Sequence, residues 1–453
     1  MKDIIFIGGG PAGYAGAIRA NQLGLDVMVI EKDRLGGTCL NRGCIPTKTL
    51  CKNADILRHM KHLSDYGISA DNISFDFEKA MERKDKVTET LVSGIEKLVD
   101  ARKIDVVKGH ASFVDEHTVS VDGTNYEAKN IVICTGSVPM RSHQEGSDLE
   151  GVITSDEMLK LTELPKRLVV VGTGVIALEF AGIFNAFGSD VTVVGSKLLK
   201  REDSDIQKRL QMLMKKEGIS FNLKTRLKRI EKEGEELKVF FDTKKGEEHV
   251  ACDMVLLGTG RAPYISDLNL EAIGITDAEK GISVDENLKT HHDHIFACGD
   301  VTGRTQLAHV ATYEALAIVE YIKHGKMELD YSAVPACTFV HPEVASVGKT
   351  EDELKEAGTS YKTAKFNFVA NGKALAMDET DGFVKVITDD NNVIIGVHIM
   401  GPNASDLIAE ATLAVKHKLD VAQVEATIHA HPTLAETFHE ATSAIEGLAI
   451  HQL

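Results

Sequence analysis

Two stretches of the chain repeat the same order of apolar and small residues. Each begins with a short apolar run typical of a buried strand, followed by a glycine-rich turn, an apolar helix and a second apolar strand. The first copy runs from Ile4 to Ile30 and the second from Leu168 to Val194. This order is that of a dinucleotide-binding unit, in which the helix N-terminus faces the phosphates. The repeat therefore predicts two dinucleotide sites in an α/β protein.

The small residues of the two turns have the spacing that such a unit needs. The first permits a tight turn, the second lets the backbone approach a pyrophosphate, and the third allows close packing of helix on strand. In the two copies these residues are Gly8, Gly10 and Gly13, and Gly172, Gly174 and Ala177.

The copies differ at the position that contacts the ribose. Glu31 lies 23 positions after Gly8, where a carboxylate binds the ribose 2′-hydroxyl, whereas Gly195 stands at the same offset in the second copy. Basic residues follow Gly195, namely Lys197, Lys200 and Arg201. A missing acid beside basic residues permits the 2′-phosphate of NADP, although lysines on a loop are also common as solvated surface.

Two cysteines follow the first unit with four residues between them, Cys39 and Cys44. Gly43 and Pro46 predict a turn that enters a helix, with Cys44 near the helix N-terminus. The helix dipole favours a thiolate there, and the thiolate is the reactive form of cysteine. A zinc site would need further closely spaced ligands, and the sequence offers none.

The segment from Gly36 to Lys48 resembles the active-disulfide motif of the pyridine nucleotide–disulfide oxidoreductases, which are FAD enzymes. Leu40, Asn41 and Ile45 are most similar to the branch of this family that oxidises dihydrolipoamide, and the family's landmarks continue in order to residue 440. The resemblance implies a redox-active Cys39–Cys44 disulfide, FAD in the first unit and NAD in the second, with NADP as the alternative.

The resemblance also assigns roles to other residues. Lys48 lies one helical turn after Cys44, and Glu179 lies in an otherwise apolar helix, where a buried carboxylate needs a partner. The resemblance implies that these two residues form an ion pair beside the flavin. It further implies cofactor contacts from residues in small turns and helix starts, namely Thr38, Thr135, Gly136, Gly260, Asp300 and Ala308.

His431 has the setting of an acid–base catalyst. Pro432 restricts the backbone beside it, and Glu436 can accept a hydrogen bond from the imidazole and so fix its tautomer. The HPTxxE pattern matches that of the family. It implies catalysis by His431, orientation by Glu436, and a homodimer in which each His431 serves the partner's disulfide.

We expect an α/β protein with two Rossmann-like domains and a C-terminal α+β dimerisation domain. The expected divisions are an FAD-binding domain at 1–142, a NAD(P)-binding domain at 143–262, a central segment at 263–330 that completes the FAD site, and an interface domain at 331–453. Alternating apolar residues around 382–399 indicate strands in the last of these.

The charge composition of the chain excludes some classes of binding partner. With 51 basic and 68 acidic residues the net charge is −17, which argues against nucleic-acid and membrane binding. The short apolar start and the lack of a long apolar run lead us to expect a cytoplasmic location. By resemblance, a lipoyl domain or the basic subunit-binding domain of a 2-oxo acid dehydrogenase complex is the expected partner.

Two alternatives stay open at this stage. The first is an NADPH-dependent reductase of another disulfide, such as glutathione. The second is a non-catalytic FAD-binding scaffold, although a scaffold needs neither the two cysteines nor His431. Mercuric reductase and high-molecular-weight thioredoxin reductase need a C-terminal cysteine pair, which this sequence lacks.

Overall fold

The computed structural model describes residues 1–452, and it opens with a parallel sheet wrapped by helices. The elements up to residue 133 are β1 (Lys2–Ile7), α1 (Pro11–Gln22), β2 (Val27–Glu31), α2 (Gly37–Arg42), α3 (Cys44–Met60), α4 (Phe77–Ala101), β3 (Asp105–Lys108), β4 (Ala111–Asp115), β5 (Thr118–Val121) and β6 (Thr124–Ile133).

Strand β1 lies at the centre of this first sheet, between β2 and β6, and is parallel to both. Ile4, Ile5 and Phe6 are completely buried, as expected for a parallel strand that is covered on both faces. Ile7 pairs with Ile30 of β2 and Ile133 of β6, so the three strands end at one edge of the sheet. The glycine turn after β1 therefore opens at the edge where α/β proteins bind their ligands.

The second unit follows a short connecting strand, β7 (Ser137–Pro139). Its elements are β8 (Val152–Ile153), α5 (Ser155–Met158), β9 (Arg167–Val171), α6 (Val175–Phe187), β10 (Asp190–Gly195), α7 (Ser204–Lys216), β11 (Ser220–Leu223), β12 (Leu227–Glu233), β13 (Glu236–Thr243), β14 (Gly246–Cys252) and β15 (Met254–Leu257). The parallel sheet has the order β11-β10-β9-β15-β8, and β12, β13 and β14 form a separate antiparallel sheet.

The chain then returns to the first sheet through β16 (Arg261–Pro263), β17 (Ile295–Ala297) and α8 (Ala308–His324). Strands β16 and β7 pair with each other, so the chain enters and leaves the second unit through one two-stranded connection. Strand β17 adds to β6, and Ala315 and Ile318 of α8 share an apolar core with Phe6 of β1. A distant part of the sequence therefore completes the first unit.

The C-terminal region contains β18 (Ala336–Thr338), β19 (Val344–Gly348), α9 (Glu351–Ala357), β20 (Lys362–Asn367), α10 (Gly372–Met377), β21 (Phe383–Thr388), β22 (Ile394–Met400), α11 (Ala404–Lys416), α12 (Val421–Glu425) and α13 (Glu436–Ser443). Its five strands form an antiparallel sheet in the order β18-β19-β22-β21-β20. All six residues of β21 are buried, because both faces of this strand are covered. The fold class expected from the sequence is confirmed.

Large apolar side chains remain exposed on the C-terminal region of a single chain. Ile428 is 97% exposed and Ile450 is 80% exposed. Within residues 1–452, no helix combines the length and apolar character needed to cross a membrane.

Candidate active site

The two cysteines of the motif lie on consecutive short segments at the edge of the first sheet. Cys39 is half-buried within α2, and Cys44 is the exposed first residue of α3. Gly43 separates the helices, and a Cβ there would lie 2.9 Å from the carbonyl oxygen of Thr38. The sequence predicted only a turn before α3, whereas the structure places Cys39 on a short helix of its own. Both thiols are free.

The surroundings of the cysteines make their thiols unequal. A hydrogen bond from Cys39 and the positive charge of Lys48 lower the pKa of Cys44 to about 7. The same hydrogen bond, together with burial, raises the pKa of Cys39. The N-terminus of α3 further favours negative charge on Cys44. When the pair is reduced, Cys44 is therefore the more acidic of the two thiols.

Lys48 and Glu179 form an ion pair next to the cysteines. The Lys48 Nζ lies 2.9 and 2.8 Å from the two carboxylate oxygens of Glu179, whose side chain is only 3% exposed. The Phe339 N–H donates to Glu179 at 2.9 Å, and the Lys48 ammonium lies 4.6 Å from the centre of the Phe339 ring. Although burial opposes it, the charge of Glu179 raises the pKa of Lys48. The pair fixes a cation at the cysteine end of α3.

The first glycine turn is shaped to admit a dinucleotide rather than side chains. Gly8 has φ +110°, and a Cβ there would lie 2.4 Å from the Cys134 carbonyl oxygen. A Cβ on Gly13 would lie 1.8 Å from the Gly8 carbonyl oxygen, so α1 packs directly on the turn. Gly10 immediately precedes α1, and a Cβ there would meet only the Gly37 Cα, at 3.8 Å, which leaves room in front of the helix N-terminus.

The acid of the first unit is held rigidly beside this turn. Glu31 accepts hydrogen bonds from the Gly9 N–H at 2.6 Å and the Asp33 N–H at 2.8 Å. It lines a cavity of about 50 Å³ together with Gly8 and Thr135. The Lys32 ammonium lies 3.2 Å from the centre of the Tyr264 ring at the same cavity. An adenosine group with its ribose beside Glu31 suits these donors and acceptors.

A second polar network joins the first unit to its returning segment. The Ser137 hydroxyl donates to Asp300, and Arg261 donates to the Ser137 hydroxyl at 2.8 Å and to the Ser137 carbonyl at 2.7 Å. Thr38 lies 3.5 Å from the same guanidinium. Burial lowers the pKa of Arg261, whereas the negative charge of a Cys44 thiolate acts to raise it.

Ser137 and Arg261 were not among the expected site residues. Each directly follows an expected turn glycine, Gly136 or Gly260, but the contact between them depends on the pairing of β7 with β16. The other expected residues of this region lie in turns or at a helix start. Gly136 and Gly260 have φ +74° and +131°, and Ala308 begins α8.

The second turn repeats the design with different residues. Gly172 has φ +131°, and a Cβ there would lie 2.3 Å from the Gly258 carbonyl oxygen. Gly174 has open space before α6, and Ala177 packs against Gly258. Gly195 is the last residue of β10, at the position that corresponds to Glu31. This turn therefore suits a second dinucleotide without a ribose-binding carboxylate.

His431 lies apart from these groups, on the exposed segment before α13. Its Nδ1 lies 2.8 Å from Glu436 Oε1, and Glu436 also accepts the Thr433 N–H at 2.8 Å. Partial burial alone would raise the pKa of Glu436, but the hydrogen bonds from Thr433 and His431 outweigh it and lower this pKa. The imidazole is 79% exposed, and within residues 1–452 Glu436 is its one hydrogen-bond partner. A single chain therefore brings Cys39, Cys44, Lys48 and Glu179 into one site. His431 of the same chain makes no hydrogen bond to any of these four residues.

Comparison with known families agrees with this geometry. The model of the pyridine nucleotide-disulphide oxidoreductases matches residues 2–315. The model of the dimerisation domain of the same family matches residues 334–442.

The chain is similar along its length to individual members. It is 39% identical over 463 residues to the mitochondrial dihydrolipoyl dehydrogenase of Pisum sativum, covering 99% of this chain and 92% of that protein. It is also 39% identical over 468 residues to a dihydrolipoyl dehydrogenase of Bacillus subtilis, covering 99% of each. Among solved structures, the HOCl-induced flavoprotein disulfide reductase RclA from Escherichia coli matches with a TM-score of 0.88 and 28% identity. That match covers 97% of this chain and 99% of the RclA chain.

Proposed function

The chain belongs to the pyridine nucleotide-disulphide oxidoreductase family and is a flavoprotein disulfide oxidoreductase, and we propose that it oxidises dihydrolipoamide to lipoamide. The observation that carries the proposal is the placement of Lys48, one turn after Cys44 on α3 and held by Glu179 at 2.8 Å, where its charge lowers the pKa of Cys44. Relatives named dihydrolipoyl dehydrogenase, aligned over 99% of this chain, support this substrate. The C-terminal dimerisation domain supports a homodimer.

The cysteine chemistry is a thiol–disulfide exchange. We propose that His431 of the partner subunit, oriented by its Glu436, takes the proton from one thiol of dihydrolipoamide. The structure holds the reduced pair, and the reaction starts from the oxidised form, in which Cys39 and Cys44 are joined by a disulfide. The substrate thiolate attacks the sulfur of Cys39, the Cys39–Cys44 bond breaks, and Cys44 leaves as a thiolate. The second substrate thiol attacks the substrate sulfur bound to Cys39 and its proton passes to the departing Cys39 sulfur, which releases cyclic lipoamide and the Cys39 thiol. The low pKa of Cys44 favours its departure, since a more acidic thiol leaves faster.

The two dinucleotide units support FAD in the first and a pyridine nucleotide in the second. FAD, when bound, supplies the two-electron carrier between the dithiol and the pyridine nucleotide. We propose that Gly8, Gly13 and Glu31 hold its adenosine and pyrophosphate, and that Asp300 and Lys48 lie toward its flavin end. The family resemblance favours NAD⁺ as the acceptor, whereas the residues around Gly195 favour NADP⁺.

We propose a lipoyl domain as the macromolecular form of the substrate. The net charge of −17 also suits the basic subunit-binding domain of a 2-oxo acid dehydrogenase complex. A second candidate function is the NADPH-dependent reduction of another disulfide, such as glutathione. It is favoured by the structural similarity to a flavoprotein disulfide reductase and by the missing acid at Gly195.

The test is steady-state turnover of the FAD-loaded protein with dihydrolipoamide, with NAD⁺ and NADP⁺ in parallel. We expect turnover with at least one of them, and we expect Cys44→Ser to abolish it while FAD stays bound. Cys252→Ala is the control, because Cys252 is fully buried away from the site. Unchanged turnover in Cys44→Ser would refute the mechanism. Turnover of oxidised glutathione with NADPH, without any lipoamide activity, would establish the second candidate instead.

A further inference from the structure

Glu314 is a buried carboxylate that takes no part in the cysteine chemistry. It lies in the middle of α8, the helix that packs on the first sheet, and it is only 2% exposed. Within residues 1–452 it forms no salt bridge. A buried carboxylate without a cation needs hydrogen-bond donors, because burial disfavours its charged form. The donors of Glu314 therefore indicate what this side chain does.

Two donors from different segments bind the two oxygens of Glu314. The Gly299 N–H donates to Oε2 at 2.7 Å, and the Tyr331 hydroxyl donates to Oε1 at 2.9 Å. Burial raises the pKa of Glu314, and these two hydrogen bonds offset only part of that effect. Because each oxygen accepts one hydrogen bond, the arrangement suits a carboxylate that connects two parts of the backbone.

The first donor belongs to a short 3₁₀ helix, Gly299–Thr302, which lies just after β17 and which we call the 299–302 turn. Gly299 has φ +72°, and a Cβ there would lie 2.9 Å from the Ala311 Cβ of α8. The Thr302 hydroxyl donates to the Gly299 carbonyl at 2.8 Å. The turn is therefore packed closely on α8, with its first N–H directed at Glu314.

The second residue of the turn, Asp300, reaches the polar network of the first unit. It accepts a hydrogen bond from the Ser137 hydroxyl, to which Arg261 donates at 2.8 Å. The charge of Asp300 also helps to raise the pKa of Glu314, so the two carboxylates are close enough to interact. Because Gly299 and Asp300 are consecutive, the hydrogen bond at Gly299 fixes the backbone from which the Asp300 side chain projects.

The second donor, Tyr331, comes from the segment that leads into the C-terminal region. Its ring meets that of Tyr313 edge to face, with 6.2 Å between the ring centres, and the Tyr313 hydroxyl accepts the Asp330 N–H at 2.9 Å. Lys416 of α11 contacts Asp330 at 2.6 Å. Burial and the charge of Glu314 raise the pKa of Tyr331, so its hydroxyl keeps the proton that it donates. Glu314 thus joins the 299–302 turn to the start of the dimerisation domain.

We propose that Glu314 is a positioning residue for the flavin, because its carboxylate holds the Gly299 N–H and thereby keeps Asp300 in the orientation that binds FAD. Tyr331 in turn holds the carboxylate. The inference rests on the proposed function insofar as FAD occupies the first unit. Without Glu314, the buried Gly299 N–H would have no acceptor, which is unfavourable enough to rearrange the turn.

The test is the rate at which FAD leaves the diluted holoenzyme, measured by the rise in flavin fluorescence. The visible circular dichroism of the bound flavin reports its surroundings before release. Glu314→Met fills a similar volume without an acceptor, and we expect FAD to leave about tenfold faster, because a buried N–H is left unsatisfied. The circular dichroism should change as well.

Glu314→Gln is the conservative variant that separates hydrogen bonding from packing. Its amide oxygen can accept the Gly299 N–H and its amide nitrogen can donate to the Tyr331 oxygen. We therefore expect it to restore slow release and the circular dichroism of the wild type. Tyr331→Phe keeps the Gly299 hydrogen bond but removes the other donor, so it should accelerate release by a smaller factor than Glu314→Met does.

Glu320→Met is the matched control. Glu320 lies in the same helix with a side chain that is 41% exposed, and it contacts Arg19 and His324, each at 3.6 Å. The same substitution there removes a carboxylate from the surface of α8 and should leave FAD release and circular dichroism unchanged.

Two results would overturn the positioning role. One is a Glu314→Met protein that keeps FAD and its circular dichroism as the wild type does, and the other is a Glu314→Gln protein that loses FAD as fast as Glu314→Met. If Glu314→Met does not fold, Tyr331→Phe decides, and a release rate equal to that of the wild type would refute the proposal. A wild-type protein that holds FAD but does not turn over dihydrolipoamide would refute the proposed substrate alone, whereas a wild type that binds no FAD would overturn both.

Discussion

Lys385 provides a test of how the second unit is fixed to the C-terminal sheet. Its side chain is completely buried in β21, and its ammonium contacts three carboxylates from other elements. The distances are 2.9 Å to Asp203, 2.9 Å to Asp205 and 2.5 Å to Glu351. Asp203 is also fully buried and caps the start of α7. The change Lys385→Met keeps most of the side-chain volume and removes the one cation that pairs with Asp203 within residues 1–452.

The expected effect is large because the acids remain. Removing one partner of a buried ion pair typically costs about 3–5 kcal/mol of stability, since the other charge is left without compensation. Asp203 keeps hydrogen bonds from the Asp205 and Glu351 N–H groups at 3.0 and 3.2 Å, which places the expected loss within this range rather than above it.

Lys365→Met is the matched control. Lys365 contacts Asp205 at 2.6 Å from a side chain that is 39% exposed. Exposed ion pairs contribute about 0–1 kcal/mol. The two variants therefore remove the same functional group beside the same carboxylate and differ mainly in burial.

The effect of Lys385→Met should depend on pH. Although burial alone would raise them, hydrogen bonds from lysine side chains lower the pKa of Asp205 and the pKa of Glu351 to about 2. In the wild type, the contribution of Asp205 and Glu351 to the free energy of unfolding is fully present above their ordinary pKa values. It is lost as the pH falls through about 2. Without Lys385 these acids take up protons at higher pH. The stability difference should therefore be largest near neutral pH and shrink below about pH 5.

The assay is unfolding of the FAD-loaded protein in guanidinium chloride at pH 7.5 and pH 4.5, with hydrogen exchange of the β21 amides as a local readout. We expect a lower unfolding midpoint and faster β21 exchange at pH 7.5 in Lys385→Met alone. A loss no greater than that of Lys365→Met, or a difference that stays constant with pH, would refute the idea that this buried charge cluster stabilises the contact.

Three further predictions concern the site itself. Gly13→Ala should yield protein without flavin absorbance, because the new Cβ would lie 1.8 Å from the Gly8 carbonyl oxygen. The control Gly94→Ala should keep full flavin content, because a Cβ there has no neighbour within 4 Å. Lys48→Met should raise the pKa of Cys44 above about 7, as measured by thiolate absorbance during a pH titration of the reduced protein, and an unchanged midpoint would contradict the role given to this cation. Glu436→Gln should lower kcat for dihydrolipoamide oxidation and shift the acid limb of the pH–rate profile while flavin content stays constant. An unaltered pH profile would show that Glu436 does not orient the imidazole.

Much of the site was predictable because it is local in sequence. The turn around Gly8 and the start of α3 at Cys44 depend on backbone conformations that glycine and proline encode within a few residues. The same holds for Glu436, which hydrogen-bonds a histidine five positions away. The fold class followed from the repeated unit, since a strand, turn and helix have few ways to pack.

The contacts between distant segments depend on the tertiary structure. Lys48 and Glu179 are 131 positions apart, and the sequence indicated their pairing only through the family resemblance. Ser137 and Arg261 join through β7 and β16, and Lys385 reads as an ordinary alternating residue of a strand until α7 covers its face. Gly195 shows the difference most clearly. Its sequence position shows that an acid is missing, but only the packing of Thr173 shows that no acid fits, because a side chain's available volume is set by neighbours from other parts of the chain.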